Sequence, residues 1–481
     1  MSNPEQPATK MWSGRFREPL DVAFEQWQRS FPFDWRLLAQ EVAASKAHAR
    51  TIAAAGVLDG AELAAMLGGL DRVLAHTATD GPTIVASAPG AEDIHHFVEL
   101  RLTAEIGELA LKLHTGRSRN EQIATDMRLF VREAIDTTVD GLRAWAEALL
   151  ELAERAGEAV MPSYTHMQRA EPVLVAHWLL AYISMAERDI SRLRDARTRM
   201  NFCPLGSGAV AGATLALDRE IAARELGFDG ATANSMDATS DRDFLLEFTQ
   251  CLATMGAHLS RFAEEITLYA TAEFGFLELP EAFSTGSSAM PQKKNPDFTE
   301  LLRGKCARLV GAATTLAVLM KGLPLAYNKD LQEGQEPVFD AADTAAGVLR
   351  VLPGFTRALN FNFARMRAAA TTGYLNAMAA ATYLTGKGVA FRKAHEKVGN
   401  AVRFALESGR ELNELTLEEV RQFGEEFGED FFAAITLEAT LDCHDVLGGT
   451  NRARLRVALK EARERLGAAT SAAAAETASV S

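Results

Sequence analysis

The sequence predicts an all-α protein with three helical domains and a central bundle of long helices. Three observations predict it. Ala, Leu, Glu and Arg, all good helix formers, dominate a chain of 481 residues that holds only 15 Pro. Apolar side chains recur at three- and four-residue steps over stretches longer than an ordinary globular helix. The scarce prolines fall where such helices should stop or start.

Taken in chain order, residues 1–10 are polar, with no apolar h-region, and no secretory signal is predicted. Residues 1–113 read as shorter helices, the N-terminal domain. The clearest long helix runs from Met127 to about Val160. Its stripe is Met127, Phe130, Ala134, Thr138, Leu142, Trp145, Leu149 and Leu152, and Pro162 is expected to stop it. A second begins near Pro172 and runs to about Met200, with Leu180, Ile183, Ile190 and Leu193 as its stripe. Helices of this kind would be about 40–50 Å long, which implies a bundle. Further helical sequence covers 243–271 and 296–321. Residues 114–365 form the central bundle domain. Residues 366–481 are shorter helices again, with a tail from about 467, rich in Ala, Ser and Thr, that is expected to be disordered. The long apolar stripes are expected to bury against other subunits.

Charge and cysteine usage exclude several function classes. The formal net charge is −14. An acidic chain is a poor match for nucleic acid, whose phosphates call for a basic field. No stretch has 18 uninterrupted apolar residues, so no membrane partner is expected. Cys203, Cys251, Cys306 and Cys443 are widely spaced, without a C-x-x-C pair. That pattern suggests free thiols in a reducing, cytoplasmic setting.

The most informative stretch is Gly286-Ser-Ser-Ala-Met-Pro-Gln-Lys-Lys-Asn-Pro-Asp297, followed by Glu300. Gly286 permits unusual backbone conformations. Ser287 and Ser288 offer hydroxyls. Asn295 is a plausible helix N-cap with Pro296 at the first helical position. Residues 281–310 hold five Lys/Arg (293, 294, 303, 305, 308) against three Asp/Glu (281, 297, 300), so a locally basic patch sits in an acidic chain. A solvated loop with surface lysines would also explain it.

This stretch resembles the signature of the fumarase/aspartase superfamily, whose members eliminate across a Cα–Cβ bond to release fumarate or a close relative. Its Gln-Lys-Lys-Asn-Pro-Asp form resembles the argininosuccinate lyase branch. Four more stretches resemble the same branch: His114-Thr-Gly-Arg-Ser-Arg-Asn120, Ser163-Tyr-Thr-His-Met-Gln-Arg-Ala-Glu-Pro172, Asn234-Ser-Met-Asp-Ala-Thr-Ser-Asp-Arg-Asp-Phe244 and Tyr327-Asn-Lys-Asp-Leu-Gln-Glu333. Trp12-Ser-Gly-Arg-Phe16 and Gly448-Gly-Thr450 extend the likeness to nearly the whole chain.

The resemblance implies a homotetramer with a twenty-helix core, and active sites built from three subunits. It implies argininosuccinate as the small-molecule substrate, cleaved to arginine and fumarate in the last step of arginine biosynthesis, with no cofactor and no metal. It puts the base at Ser287, with Lys293 as the cation beside it. His166 is placed on the acid side, oriented by Glu300. Arg119, Asn120, Thr165 and Asn295 become carboxylate donors. Ser30 and Asp34 fall at the amino-acid end of the substrate, and Tyr327 and Gln332 grip it as well.

Three departures from the branch pattern bear on substrate affinity: Glu121 where Asp is usual, Gly334-Gln335 where Asp-Lys is usual, and Asn376-Ala-Met-Ala-Ala-Ala-Thr382 in place of a more polar run. Two other readings were weighed. Gly206-Ser-Gly208 follows a helix rather than a strand, which argues against a dinucleotide site. His95-His96 beside Glu92 and Asp93 lacks metal-protease spacing and resembles a family feature that holds no metal. The alternatives for the whole chain are another fumarate-releasing lyase of the superfamily and a catalytically silent, crystallin-like structural relative.

Overall fold

The computed structural model describes residues 18–480, and it is 68% helical with few short strands. The all-α reading therefore stands. The Trp12–Phe16 motif and residues 1–10 lie outside the described residues.

The elements that position functional side chains follow in chain order. Helices α1 (Leu38–Ala54), α2 (Gly60–Thr77) and α3 (Ile94–Ile106) precede the longest helix, α4 (Arg119–Ala156). Strands β1 (Val160–Thr165) and β2 (Gln168–Leu174) form an antiparallel hairpin. Helices α5 (Val175–Met200) and α6 (Asp243–Tyr269) follow. The two-residue strands β3 (Thr285–Gly286) and β4 (Lys294–Asn295) pair with each other. Helices α7 (Asp297–Met320), α8 (Gln335–Ala358), α9 (Phe391–Glu407) and α10 (Arg452–Val480) complete the set.

The chain forms two compact units. The first gathers Met1–Thr137, Arg192–Ala253 and Arg308–Ala345; the second gathers Thr138–Ser191, Thr254–Ala307 and Ala346–Ser481. In the first unit, Asp59 starts α2 through a capping box, accepting from the Ala61 and Glu62 amides while Glu62 accepts from its own. Gly69 lets α2 close on α3, since a Cβ there would lie 2.8 Å from Leu102. Phe31 stacks on Phe97 at 5.2 Å between centroids, and Phe130 meets Phe339 edge-on at 4.9 Å. In the second unit, Trp145 and Tyr182 both pack edge-on against Phe262. Trp178 and Tyr182 both donate to the Glu265 carboxylate, which satisfies their polar ends within this aromatic core.

Several expectations are corrected here. The first long helix begins earlier, at Arg119, and ends at Ala156. Gly157, with φ +56°, supplies the left-handed residue that closes it, so Pro162 is not the stop. Pro162 and Pro172 face each other across the β1–β2 hairpin, where the register shifts after Pro162. The second long helix therefore starts at Val175. Asn295 and Pro296 do not open α7 as cap and first residue: Asn295 is paired with Thr285, and helix begins at Asp297. Gly286 is paired with Lys294 as strand and needs no left-handed φ. Helix α10 runs Arg452–Val480.

The stripes on α4 and α5 are expected to bury between subunits, but one chain already covers most of them, leaving Phe130, Ala134 and Leu180 part-exposed. Met127, Leu142, Trp145, Leu149 and Leu193 are all 0% exposed. Among the exposed apolar side chains are Leu301, Val310 and Val318 on α7. Three thiols, Cys203, Cys251 and Cys306, are buried, and Cys443 is exposed. Burial pushes the Cys203 thiol up to about 12 and Cys306 to about 11.

One glycine inside α4 gives a test of this packing. Gly141 sits mid-helix, where Ala is ordinarily the better residue by about 1 kcal/mol. Here a Cβ would lie 2.7 Å from the Cβ of Leu349 on α8. Gly141→Ala should therefore destabilise the protein by about 1–3 kcal/mol in denaturant titrations, and Leu349→Ala, which keeps the closest contacting atom, should relieve little of that loss in the double variant.

Candidate active site

In the first unit, five of the sequence-assigned residues gather round the segment Glu92–Asp93. The Ser30 and Phe31 amides both donate to the Glu92 carbonyl at 3.1 Å. Asp34 is 2% exposed and accepts from the Ile94 amide at 3.0 Å. Burial and the nearby Asp93 charge raise its carboxyl to about 7, against the lowering effects of His95, Ser30 and the Ile94 amide. Asp93 caps α3 by accepting from the His96 amide at 2.7 Å, and its other oxygen lies 3.1 Å from Arg119 Nε. Burial works against the Arg119 charge, but Asp93 and Glu99 outweigh it and hold the guanidinium protonated. Gln332 donates to the Gln28 carbonyl at 3.1 Å, and Lys329 reaches the Gln28 side chain at 2.8 Å and Glu92 at 3.4 Å. Tyr327 is raised by burial, with Arg242 opposing and Asp93 and Glu92 adding to the rise. A cavity of about 210 Å³, lined by Gln28, Arg29, Pro89, Gly90 and Glu92 among others, adjoins this group. Asn120 points elsewhere and donates to the Ala209 carbonyl at 3.2 Å.

Beneath this group lies a network that sequence reasoning missed. Glu41 on α1 is 1% exposed, His95 on α3 1% and Asp126 on α4 0%. Glu41 accepts from Ser45 at 2.7 Å, from Gln122 at 3.1 Å and from His95 Nδ1 at 2.7 Å. Burial alone would raise the Glu41 carboxyl, but His95, Arg117 and Ser45 hold it well below the usual range. Asp126 is raised well above its ordinary value, first by burial and then by the Glu41 charge, and no donor meets its oxygens. The available signal was weak: Glu41 and Ser45, like Gln122 and Asp126, are polar pairs at i, i+4 on otherwise buried helix faces. Glu41, His95 and Asp126 are the described residues whose ligand atoms come close enough, within 4.8 Å, to hold a metal. The donors already filling Glu41, and the Arg117 guanidinium 4.0 Å away, suit a carboxylate surrounded by hydrogen bonds better than a cation site.

In the second unit, the candidate residues stand on turns. Thr165 and Gln168 pair across the hairpin, leaving His166 and Met167 as a two-residue loop with φ of +52° and +59°. Asn-Gly is the usual choice for such a turn. Two side chains held left-handed cost on the order of 1–3 kcal/mol each, and strain of this kind concentrates at functional sites. His166 is exposed at the tip. The Ser287 Oγ accepts from the Ala289 and Met290 amides at 3.2 and 3.1 Å. The Lys293 amide donates to the Met290 carbonyl, and Lys293 is exposed. Lys294 is instead tied to Glu278 at 2.9 Å and to the Leu279 carbonyl. Asn295 donates to Thr285 Oγ1 at 3.5 Å. Glu300 is exposed in the first turn of α7. No hydrogen bond joins Ser287, His166, Lys293 and Glu300 to one another within the chain, among the described residues.

The departures from the branch pattern have local explanations. Glu121 is fully buried and accepts from the Ser118 and Gly208 amides at 2.8 and 3.0 Å, so its carboxylate holds the entry to α4. Gly334 packs closely on Leu316 and Leu319, and Gln335 is 3% exposed at the start of α8. Neither offers a side chain to solvent. Asn376 donates to the Ile435 carbonyl at 3.1 Å.

A family model described as "Lyase" matches residues 14–311, and one described as "Argininosuccinate lyase C-terminal" matches residues 374–442. The chain is 63% identical to an argininosuccinate lyase of Acidobacterium capsulatum, over 95% of each chain. It is 57% identical to one of Koribacter versatilis, over 95% of this chain and 97% of that one. Among solved structures it resembles an EDDS lyase variant with bound fumarate, at a TM-score of 0.81 and 26% identity, over 92% of this chain and 88% of that one.

The raised Asp34 carboxyl yields a pH test. A folded value near 7 against about 3.8 unfolded means that stability from this group is fully present below about pH 4 and lost as pH rises through 7. Asp34→Asn keeps the shape and removes the titration. Between pH 4 and 7, its unfolding free energy should fall less steeply with pH than that of the parent, by about 1.4 kcal/mol per pH unit. Identical slopes in denaturant titrations would show that Asp34 ionises normally.

Proposed function

The chain belongs to the argininosuccinate lyase family, and from that membership we propose that it splits argininosuccinate into arginine and fumarate as a carbon–nitrogen lyase. The substrate joins a succinyl dicarboxylate to a guanidinium. Its elimination takes a proton from the carbon beside a carboxylate, forms the C=C bond from that electron pair, and breaks the C–N bond to the guanidine nitrogen. The proton is weakly acidic, so the site needs a strong base, donors around the carboxylate that gains charge, and an acid for the leaving nitrogen.

The observation that carries this reading is the turn at Ser287. A neutral serine is a poor base. The Ala289 and Met290 amides aimed at its Oγ are the donors an alkoxide requires, and Lys293, in the same turn, is the cation beside it. His166, raised on its strained hairpin, serves the leaving nitrogen, with Glu300 orienting the imidazole. Thr165, Asn295, Arg119 and Asn120 bind the succinyl carboxylates. Ser30 and Asp34 bind the amino-acid end, Asp34 taking the α-ammonium, while Tyr327 and Gln332 hold the rest of the arginine portion.

We propose that these groups meet between the chains of a homotetramer, each site drawing on three subunits. Exposed apolar side chains on α7 support assembly, with Leu301 62%, Val310 49% and Val318 64% exposed. In that assembly the three-part division 1–113, 114–365 and 366–481 assigns the shared helical core to the middle segment. The proposed setting is the cytoplasm, at the last step of arginine biosynthesis; no helix among the described residues is long and apolar enough to cross a membrane.

Incubation with argininosuccinate, adenylosuccinate, malate and aspartate, followed by fumarate absorbance, tests the substrate: turnover of argininosuccinate alone is expected. Release from another succinyl compound alone would move the chain to a different lyase, and no release at all would make it a structural relative. Ser287→Ala and His166→Asn should each fold, sediment as tetramers and lose about 10²–10⁴ in turnover. Refolding the two inactive variants together should return part of the activity, because some hybrid sites regain both residues. Confirmed subunit exchange without recovery would sink the shared site.

The two neighbouring lysines give a second check. Lys293→Ala should disable turnover far more than Lys294→Ala, whose ammonium is occupied by Glu278. Equal and mild effects would reduce the basic patch to a solvated loop.

A further inference from the structure

Glu41, His95 and Asp126 take no part in the reaction proposed above, yet all three are almost completely buried. Ionisable groups are costly to bury unless they satisfy one another, so their placement calls for a reason. Their position in the fold suggests it. His95 stands in the first turn of α3, directly after Glu92, Asp93 and Ile94. Its Nδ1 lies 2.7 Å from Glu41 and 3.4 Å from Asp126. Glu41 is itself locked by Ser45 from α1 and Gln122 from α4. The imidazole is therefore fixed from two neighbouring helices.

The turn fixed in this way touches three proposed substrate groups. The Glu92 carbonyl accepts the Ser30 amide, the Ile94 amide donates to Asp34, and the Asp93 carboxylate lies 3.1 Å from Arg119. If the turn shifts, all three shift. We propose that His95 is a positioning residue for substrate binding: its hydrogen bond to Glu41 fixes the Glu92–Ile94 turn that holds Ser30 and Asp34, which take the amino-acid end, and Arg119, which takes a succinyl carboxylate. The inference rests on the reading of those three as substrate-binding groups. His95 acts through them and touches no reacting atom.

The test uses the geometry of the two ring nitrogens. Asparagine places its amide nitrogen where Nδ1 stands, so His95→Asn keeps a donor for Glu41. Glutamine places its nitrogen nearer Nε2, so His95→Gln loses that donor while staying polar and of similar size. His95→Gln should raise KM for argininosuccinate by about tenfold, with kcat changed by less than about threefold, since uniform binding rather than the chemical step is lost. Its affinities for arginine and for fumarate, measured by calorimetry, should both weaken, since the turn holds Ser30 and Asp34 for the first and Arg119 for the second. His95→Asn should recover most of the loss, and both variants should keep the parent circular dichroism. Asp34→Asn and Arg119→Lys, measured alongside, should raise KM too. If these two raise KM and His95→Gln does not, or if Asn and Gln behave alike, or if His95→Gln lowers kcat alone, the inference is overturned. If Asp34→Asn and Arg119→Lys leave KM unchanged, the substrate reading of this group fails and the inference falls with it.

Should His95→Gln fail to fold, Glu41→Gln serves in its place. It keeps a carbonyl acceptor for the Nδ1 proton but removes the charge that draws it, and the same rise in KM, smaller in size, is expected. An unchanged KM in a folded Glu41→Gln protein would equally overturn the proposal.

Discussion

A carboxylate taken out of water must be surrounded by donors, and much of the first unit is arranged around meeting that demand at Glu41. Its hydrogen-bond donors come from three helices: Ser45 from α1, His95 from α3 and Gln122 from α4. Once these are placed, the start of α3 has little freedom, and the chain near Asp34 and Arg119 inherits its position. Asp126 shows the other side of the constraint. Lacking donors and facing the Glu41 charge, it is pushed toward the neutral form. Two carboxylates so close together are tolerated because only one of them carries the charge.

The second unit handles its functional groups differently. Ser287 and His166 sit on turns and are anchored by backbone geometry rather than by buried charge. A two-residue loop with both residues left-handed points His166 outward at an energetic cost, and a tight turn collects two amides on one hydroxyl oxygen. Short strand pairs, β1–β2 and β3–β4, brace these turns within an otherwise helical fold. Their brevity leaves the surrounding helices undisturbed.

Much of the fold was legible because helical periodicity is a strong signal over long stretches. The stripe from Met127 to Leu152 fell inside one helix, and 243–271 and 296–321 were placed to within a few residues. What escaped was local. The 160–174 segment carries two prolines, and a proline that would end a helix looks the same in sequence as one in a ribbon. Only the cross-strand pairing of Pro162 with Pro172 distinguishes them. Asn295-Pro296 carried a good cap signature, but pairing with Thr285 won over it. The stripes on α4 and α5 showed that they bury something, not which chain supplies the cover. At the candidate site, motif resemblance picked out residues by type and order. It was blind to Glu41 and Asp126, whose meaning comes from three helices crossing, and it marked Glu121 only as a departure, not as a carboxylate that holds backbone amides.

The exposed apolar side chains of α7 carry a thermodynamic consequence. A helix that presents Leu301, Val310 and Val318 to water gains most of its remaining hydrophobic stabilisation only when something covers them. Where that cover is another copy of the chain, resistance to heat becomes a matter of mass action. The melting midpoint then rises with protein concentration, and a single figure for the stability of one chain has no meaning without stating how much of it was in the tube.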